Sequence, residues 1–459
     1  MILADRIMRR RTSTNSTLVP LTLLLLGFGL AACEQRVNPF DVDPPKDCSV
    51  ESQNQFVFEV MDEFYLWNAE IPADIDISAY ETPEDLVKAL RVGDDRWTRV
   101  RDKSTSDALF MEGKFVGLGY KTQRGANDEV RISFVSDNSP ASSVGIERGD
   151  VIVGVGGFTA EELDEAGSWS SVYGDNEPGV TVTADIQKLA TGEVETVTMT
   201  KDWINIVSLP VIKLLDGPDS TEVGYFIMDK FVATTKAELD GAFAMFKEAG
   251  ASTVVIDLRY NGGGLISVAE RLVNLAVGAD HDGSVAFSFE YNDNFEDENS
   301  STEITELGGS IGADEIIVLT SSRTLSASEL VINALFPYAD VTLIGSDTGG
   351  KPVGSKGFEF CEKKLYPITF RLVNSAGNTD YFDGLPADCF ASDDLFHQLG
   401  DPQEGMLAAA MAYLESGSCP AMPAPAAPLG LGLGLGSRVD AVGKVLLPNA
   451  EQRADIDSW

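Results

Sequence analysis

Two short stretches hold the residue types needed for covalent chemistry. Ser322-Arg323-Thr324-Leu325-Ser326-Ala327-Ser328-Glu329 reads as a strand-to-helix junction, and Gly349-Gly350-Lys351-Pro352 follows the next strand. A serine at a helix start ordinarily only caps an orphan N–H. A lysine brought to the same edge changes that reading, because a serine hydroxyl becomes a good nucleophile once a neighbouring base takes its proton. The chain has two histidines, His281 and His397, so a Ser-His-Asp triad, a histidine zinc site or a histidine relay has almost no raw material. A lysine can replace the imidazole when burial keeps its amine neutral. Ser-Lys pairs are a recurring variant of the serine-protease constellation. With parallel strands joined by a helix, successive strands end side by side, which brings Lys351 toward Ser326.

The elements that must position this pair read as an α/β unit. Val223–Ile227, Ser252–Leu258, Glu315–Leu319 and Thr342–Ile344 are strand-like, and helices are expected over 237–247, 268–277 and 327–335. The acidic stretch 284–313 reads as a solvated insertion. Its Asp293, Glu296, Asp297 and Glu298 lack the spacing and turn glycine of a calcium loop, so no metal site is expected. Helical periodicity runs from Val50 to Thr98, with Thr82 as a cap before Pro83. Residues 112–205 alternate apolar and polar in short runs and read as a β-rich domain.

These motifs together resemble the carboxyl-terminal processing peptidases, also called tail-specific proteases. The resemblance lies in Ile256-Asp257-Leu258-Arg259-Tyr260-Asn261-Gly262-Gly263-Gly264, in Ser326-Ala327-Ser328-Glu329 and in Gly350-Lys351, with the serine and lysine at the family's spacing. It implies an α/β, crotonase-like protease core in which Ser326 is the nucleophile and Lys351 the general base. The oxyanion hole would be built from the N–H groups of Ala327 and Gly263, with Glu329 and Thr348 in support. Ser355 stands where relatives often place a glutamine that orients the lysine. The resemblance also implies a PDZ module over 112–205. Val116-Gly117-Leu118-Gly119-Tyr120 matches its carboxylate-binding loop, and the stretch from Ser139 to Ile152 its most recognisable segment. Successive loop N–H groups can hold a chain-terminal carboxylate while the adjacent strand edge pairs with the peptide. No cofactor is implied; protein C-termini are the implied partners, with an adaptor protein in some relatives.

The multidomain α+β and α/β reading is therefore a signal peptide over 1–32, a linker over 33–47, an N-terminal helical domain over 48–111, the PDZ domain over 112–205, the protease core over 206–419 and a disordered Pro-Ala and Gly-Leu tail over 420–459. Leu30-Ala31-Ala32-Cys33 resembles a bacterial lipobox. It predicts a lipid on Cys33, with Glu34 favouring the outer membrane and a periplasmic location. Cys48, Cys361, Cys389 and Cys419 would then lie in an oxidising compartment. A hairpin turning at Asn374–Gly377 would draw its ends together and make Cys361–Cys389 one bridge, leaving Cys48–Cys419 as the other. The net charge of −38 argues against nucleic acid and anionic lipid surfaces. Two rival readings remain at this level: a non-catalytic peptide-binding lipoprotein, and an amidase or esterase using the same dyad.

Overall fold

Strands too apolar for an exposed face build a sheet covered on both sides. In spatial order the strands are Val211–Asp216, Glu222–Ile227, Thr253–Asp257, Glu315–Thr320, Asp340–Gly345 and Cys389–Phe390. The first pair is antiparallel and all later neighbours are parallel. Val254, Ile256, Ile316 and Val318 pack with Phe243, Phe246, Leu272 and Val331 from three helices. Val255, Ile317, Leu319 and Ile344 instead meet Met406, Leu407 and Ala410 of the last helix, Gly405–Ser416. Each such side chain, fully buried, contributes about 1.5–3 kcal/mol of hydrophobic stabilisation. The parallel strands end at one edge of the sheet, so the segments after Asp257, Thr320 and Gly345 emerge together. The computed structural model describes residues 38–93 and 95–420. The readings for 1–32, for Cys33 and for the tail after Pro420 lie outside the described residues.

Residues 284–313 differ from the expected solvated loop. Val285–Tyr291 and Ser300–Glu303 are strands of a second sheet, completed by Ile368–Asn374 and Val353–Ser355. Ala286 and Phe287 are fully buried, so the apolar residues of Ser284-Val285-Ala286-Phe287-Ser288-Phe289 outweighed the acidic composition around them. The expected hairpin also differs. Its turn at Asn374–Gly377 forms, but Ile368–Asn374 pairs with Val285–Tyr291 and Val353–Ser355, and 380–382 is not a strand.

That rearrangement overturns the cysteine pairing. The bridges are Cys48–Cys361 and Cys389–Cys419, with Cα separations of 5.9 and 5.3 Å. Cys48 precedes the helix Val50–Phe64, whose Phe56 stacks on Phe360 at 5.1 Å beside the turn holding Cys361. Cys389 lies on the last strand of the central sheet, and the helix Gly405–Ser416 crosses that face to return Cys419 to it.

The segment before the β-rich domain is not wholly helical. After the helices Val50–Phe64 and Pro83–Leu90, Arg99–Asp102 forms a strand on Lys363–Tyr366. From Val42 onward the chain is one compact unit. Within it, Lys114–Gly117 and Asp202–Asn205 pair antiparallel, so the β-rich domain begins and ends side by side. Between them an antiparallel sheet runs in the order Tyr120–Arg124, Val130–Val135, Val151–Val155, Thr181–Gln187, Val194–Thr200 around a core of Ile132, Ile152, Leu163, Val182 and Ile186. No helix among the described residues is long and apolar enough to cross a membrane.

Candidate active site

Ser326 closes the turn after Glu315–Thr320 and opens the helix Ala327–Leu335. Its backbone is held at φ 59°, ψ −115°, a conformation costing a non-glycine residue on the order of 1–3 kcal/mol. Surrounding bonds impose it. Thr324 Oγ1 donates to Leu258 O at 2.9 Å, Leu325 N to Asn261 O at 3.2 Å, and Ser328 Oγ to the same carbonyl at 2.9 Å. The segment after Asp257 thus templates the serine turn. Gly263 (φ +95°) lies so close that a Cβ there would stand 2.8 Å from Ala327 N and 2.9 Å from Ser326 Cβ.

Glu329, fully buried one turn into the helix, gathers the rest. Its Oε2 accepts from Ser326 N at 2.9 Å and Lys351 N at 2.8 Å, and its Oε1 from Gly350 N at 2.7 Å and Thr348 Oγ1 at 2.5 Å. Sharing one oxygen holds the Ser326 and Lys351 nitrogens within about 6 Å of each other. Burial pushes the carboxyl pKa up, while the donors from Thr348, Lys351, Gly350 and Ser326 pull it back. Thr348 Oγ1 itself accepts from Leu385 N at 2.7 Å, which leaves its hydrogen for Glu329. Both carboxyl oxygens are thus occupied by these four contacts.

Lys351 receives no such partner for its side chain. Among the described residues its amine makes no hydrogen bond or ion pair; it lies 5.8 Å over the ring of Trp97. Burial, reinforced by the positive charge of Arg99 and, less, of Arg101, pulls its pKa down from 10.5 to about 7, against the opposing pull of Asp95 and Glu329. Near neutrality a large share of the amine is therefore unprotonated and able to accept a proton. No hydrogen bond joins Ser355 to this amine; Ser355 ends the short strand Val353–Ser355.

Trp97 was not singled out by the sequence reading. Its signal is the neighbouring Asp95, whose Oδ1 accepts from Trp97 N at 2.8 Å and Thr98 N at 2.9 Å while Oδ2 accepts from Tyr65 OH at 2.7 Å. Through that buried carboxylate the first helix sets the aromatic face under the lysine.

One expected role changes. Ala327 N, at the first helical position, has no intrahelical acceptor and is available to an oxyanion. Gly263 N instead donates to Asn261 Oδ1 at 2.8 Å, so its amide is occupied and its part here is to give Ser326 room. Gly262 N and Gly264 N carry no hydrogen bond among the described residues.

A second ionic group lies at the same edge. Arg259 meets Asp257 (2.8 and 2.9 Å), Glu404 (2.6 and 2.9 Å) and Asp393 (2.9 Å). Asp393 also binds Arg148 of the β-rich domain at 2.6 Å. Arg323 Nη2 donates to Thr122 O at 2.7 Å, and Lys121 pairs with Asp229. The β-rich domain thus rests on segments that flank Ser326.

In the loop 116–120, Val116 pairs with Trp203 and Tyr120 is buried with its hydroxyl on Tyr173 OH at 2.9 Å. Leu118 O and Gly119 O accept from Ala141 N at 2.9 Å and Ser136 N at 2.7 Å, and Gly119 takes φ +85°. The N–H groups of Leu118 and Gly119 have no acceptor among the described residues. Tyr120–Arg124 is the terminal strand of its sheet.

Residues 222–384 match peptidase family S41 and residues 52–99 the peptidase S41 N-terminal domain. A carboxyl-terminal-processing protease of Picosynechococcus sp. is 27% identical over 286 residues, covering 61% of this chain and 65% of that protein. A protein of Staphylococcus aureus named as a CtpA-like serine protease is 28% identical over 294 residues, covering 63% of this chain and 55% of its own length. The chain thus spans between about half and two thirds of the curated relatives it matches. A crystal structure from Bacteroides fragilis, described as an S41 protease, shares the mixed α/β fold at a TM-score of 0.63 and 23% identity, covering 78% of this chain and 96% of that one. Residues 52–99 and 222–384 thus match S41 domains, and the curated relatives that the chain resembles are named carboxyl-terminal-processing or CtpA-like serine proteases.

Proposed function

We propose that this chain is a serine endopeptidase that captures protein C-termini and hydrolyses peptide bonds with Ser326 and Lys351. One observation carries the reading. Glu329 fixes both loops through their backbones yet leaves the lysine amine without an ionic partner. Lys351 takes the Ser326 proton as Oγ bonds to the scissile carbonyl carbon. The negative oxygen of the tetrahedral intermediate is met by Ala327 N–H and a second amide from the glycine run. As the C–N bond breaks, the Lys351 ammonium returns its proton to the leaving amine. Water then repeats the cycle on the acyl-enzyme, releasing the acid and restoring both groups.

The β-rich domain is read as a PDZ module. The amides of Leu118 and Gly119, without acceptors among the described residues, suit a terminal carboxylate, and the terminal strand Tyr120–Arg124 suits an incoming strand. The lipobox at Cys33 and the two disulfides support export and tethering to the outer membrane on the periplasmic side.

Ser326→Ala and Lys351→Ala are each expected to abolish turnover of an unstructured peptide, and a fluorophosphonate should label wild type at Ser326. Cleavage by either variant at the wild-type rate would rule out the dyad. Peptide binding without labelling or cleavage by wild type would leave a binding protein.

A further inference from the structure

Arg99 and Arg101 extend from one face of the strand Arg99–Asp102, opposite Tyr366 and Lys364. This strand is the edge of its sheet, with Lys363–Tyr366 on one side and, among the described residues, no strand on the other. The chain holds 72 acidic against 34 basic residues, yet neither guanidinium has an ion pair or hydrogen bond among the described residues. Lys364, directly across, is by contrast paired with Asp107 and Glu359. Asp95, the carboxylate beside the lysine, is committed to Tyr65, Trp97 and Thr98.

The two arginines follow Trp97 by two and four residues in the chain, and the Lys351 amine lies 5.8 Å from the Trp97 ring. Arg99 is exposed to solvent, yet enough protein surrounds it for burial to lower its guanidinium to about 10; Arg101 is half-buried and shifted in the same direction. The positive charge of both is felt at the Lys351 amine. Trp97 also carries Arg96 at 5.0 Å, whose guanidinium reaches Gly349 O and Phe382 O at 3.4 and 3.3 Å. Unpaired guanidinium groups beside a reactive amine are disfavoured until an anion reaches them, and a carboxylate fits their fork of donors.

We infer that Arg99 and Arg101 form a carboxylate subsite next to the scissile bond, so that favoured substrates present an acidic side chain or a free chain terminus there. This rests on the peptidase reading above. The test uses the full chain and unstructured peptides with amidated ends that carry Glu or Gln at one scanned position, plus a neutral peptide with a free-acid or amidated end. At one position Glu should exceed Gln in kcat/KM by about tenfold; preference for the free acid alone would identify the terminus as the source. In Arg99→Gln/Arg101→Gln the ratio should fall to near one, and in Arg99→Glu/Arg101→Glu a Lys peptide should overtake the Glu peptide. Cleavage in which acidic and neutral peptides are equal throughout, or a preference that survives both variants, overturns the subsite while leaving the peptidase. If no peptide is cleaved, the peptidase reading fails instead. The same Glu-to-Gln ratio, read as dissociation constants with Ser326→Ala protein, then decides the subsite.

Discussion

Arg259 and Lys351 are both cations drawn in at the same edge of the central sheet, and their surroundings treat them in opposite ways. Arg259 is 1% exposed with every side of its guanidinium met by Asp257, Glu404 or Asp393. Burial alone would disfavour its charge, but those carboxylates outweigh it and hold the pKa well above the ordinary value. At Lys351 the available carboxylate, Glu329, is spent on backbone N–H groups, so burial prevails and the amine drops to about 7. A cation with all its partners is locked; one denied them can exchange a proton. The paired cluster fixes where the strands and the β-rich domain end, and the unpaired amine stands on that frame.

The comparison can be broken most directly at its reactive half. Lys351→Ala should lower kcat by on the order of a thousandfold or more in peptide hydrolysis. Wild-type kcat/KM should climb about tenfold per pH unit below 7 and level off above it, because only the neutral amine accepts the serine proton. A flat profile from pH 5 to 8 would show that another group is the base. The structural half should fail differently. Arg259→Met strands Asp257 and Glu404 as buried, uncompensated charges and should cost about 3–5 kcal/mol in denaturant unfolding. A loss below 1 kcal/mol would mean the cluster does not hold the fold.

Glu329 joins the two halves. Glu329→Gln keeps the shape but turns two acceptor sites into donors facing donors, so kcat should fall about 10- to 100-fold with the fold retained. An unchanged kcat would remove Glu329 from positioning. The smallest effect expected is a gain. Lys351→Met should stabilise the protein at pH 7 by on the order of 2 kcal/mol, because the buried amine resists a charge that the unfolded chain carries freely. The sign follows from the depressed pKa: below 10.5 the unfolded state binds the proton first, so wild-type stability falls as pH drops from about 10.5 toward 7 and is level below that. The advantage of Met should shrink as pH is raised to 10; an advantage that does not vary with pH would assign it to packing alone.

Much of this chemistry was legible in the chain itself. Ser326, Glu329, Thr348 and Lys351 follow strands whose unbroken apolar runs require cover on both faces, and parallel strands with helical returns must deliver their ends to one edge. Local patterning decided those elements because each run carries its own burial signal. Contacts between distant segments were decided only by the folded chain. The partners of Ile368–Asn374 lie on Val285–Tyr291 and Val353–Ser355, and that choice overruled the expected hairpin and with it the cysteine pairing. Trp97 reaches Lys351 across more than half the sequence through a turn fixed by Asp95 and Tyr65. Gly263 lost its expected amide to an Asn261 side chain two residues away, a bond that depends on the side chain's conformation, which residue spacing alone does not specify. Residue types settled which groups could react. Tertiary packing settled which of them were paired, because pairing depends on distances between segments that periodicity does not encode.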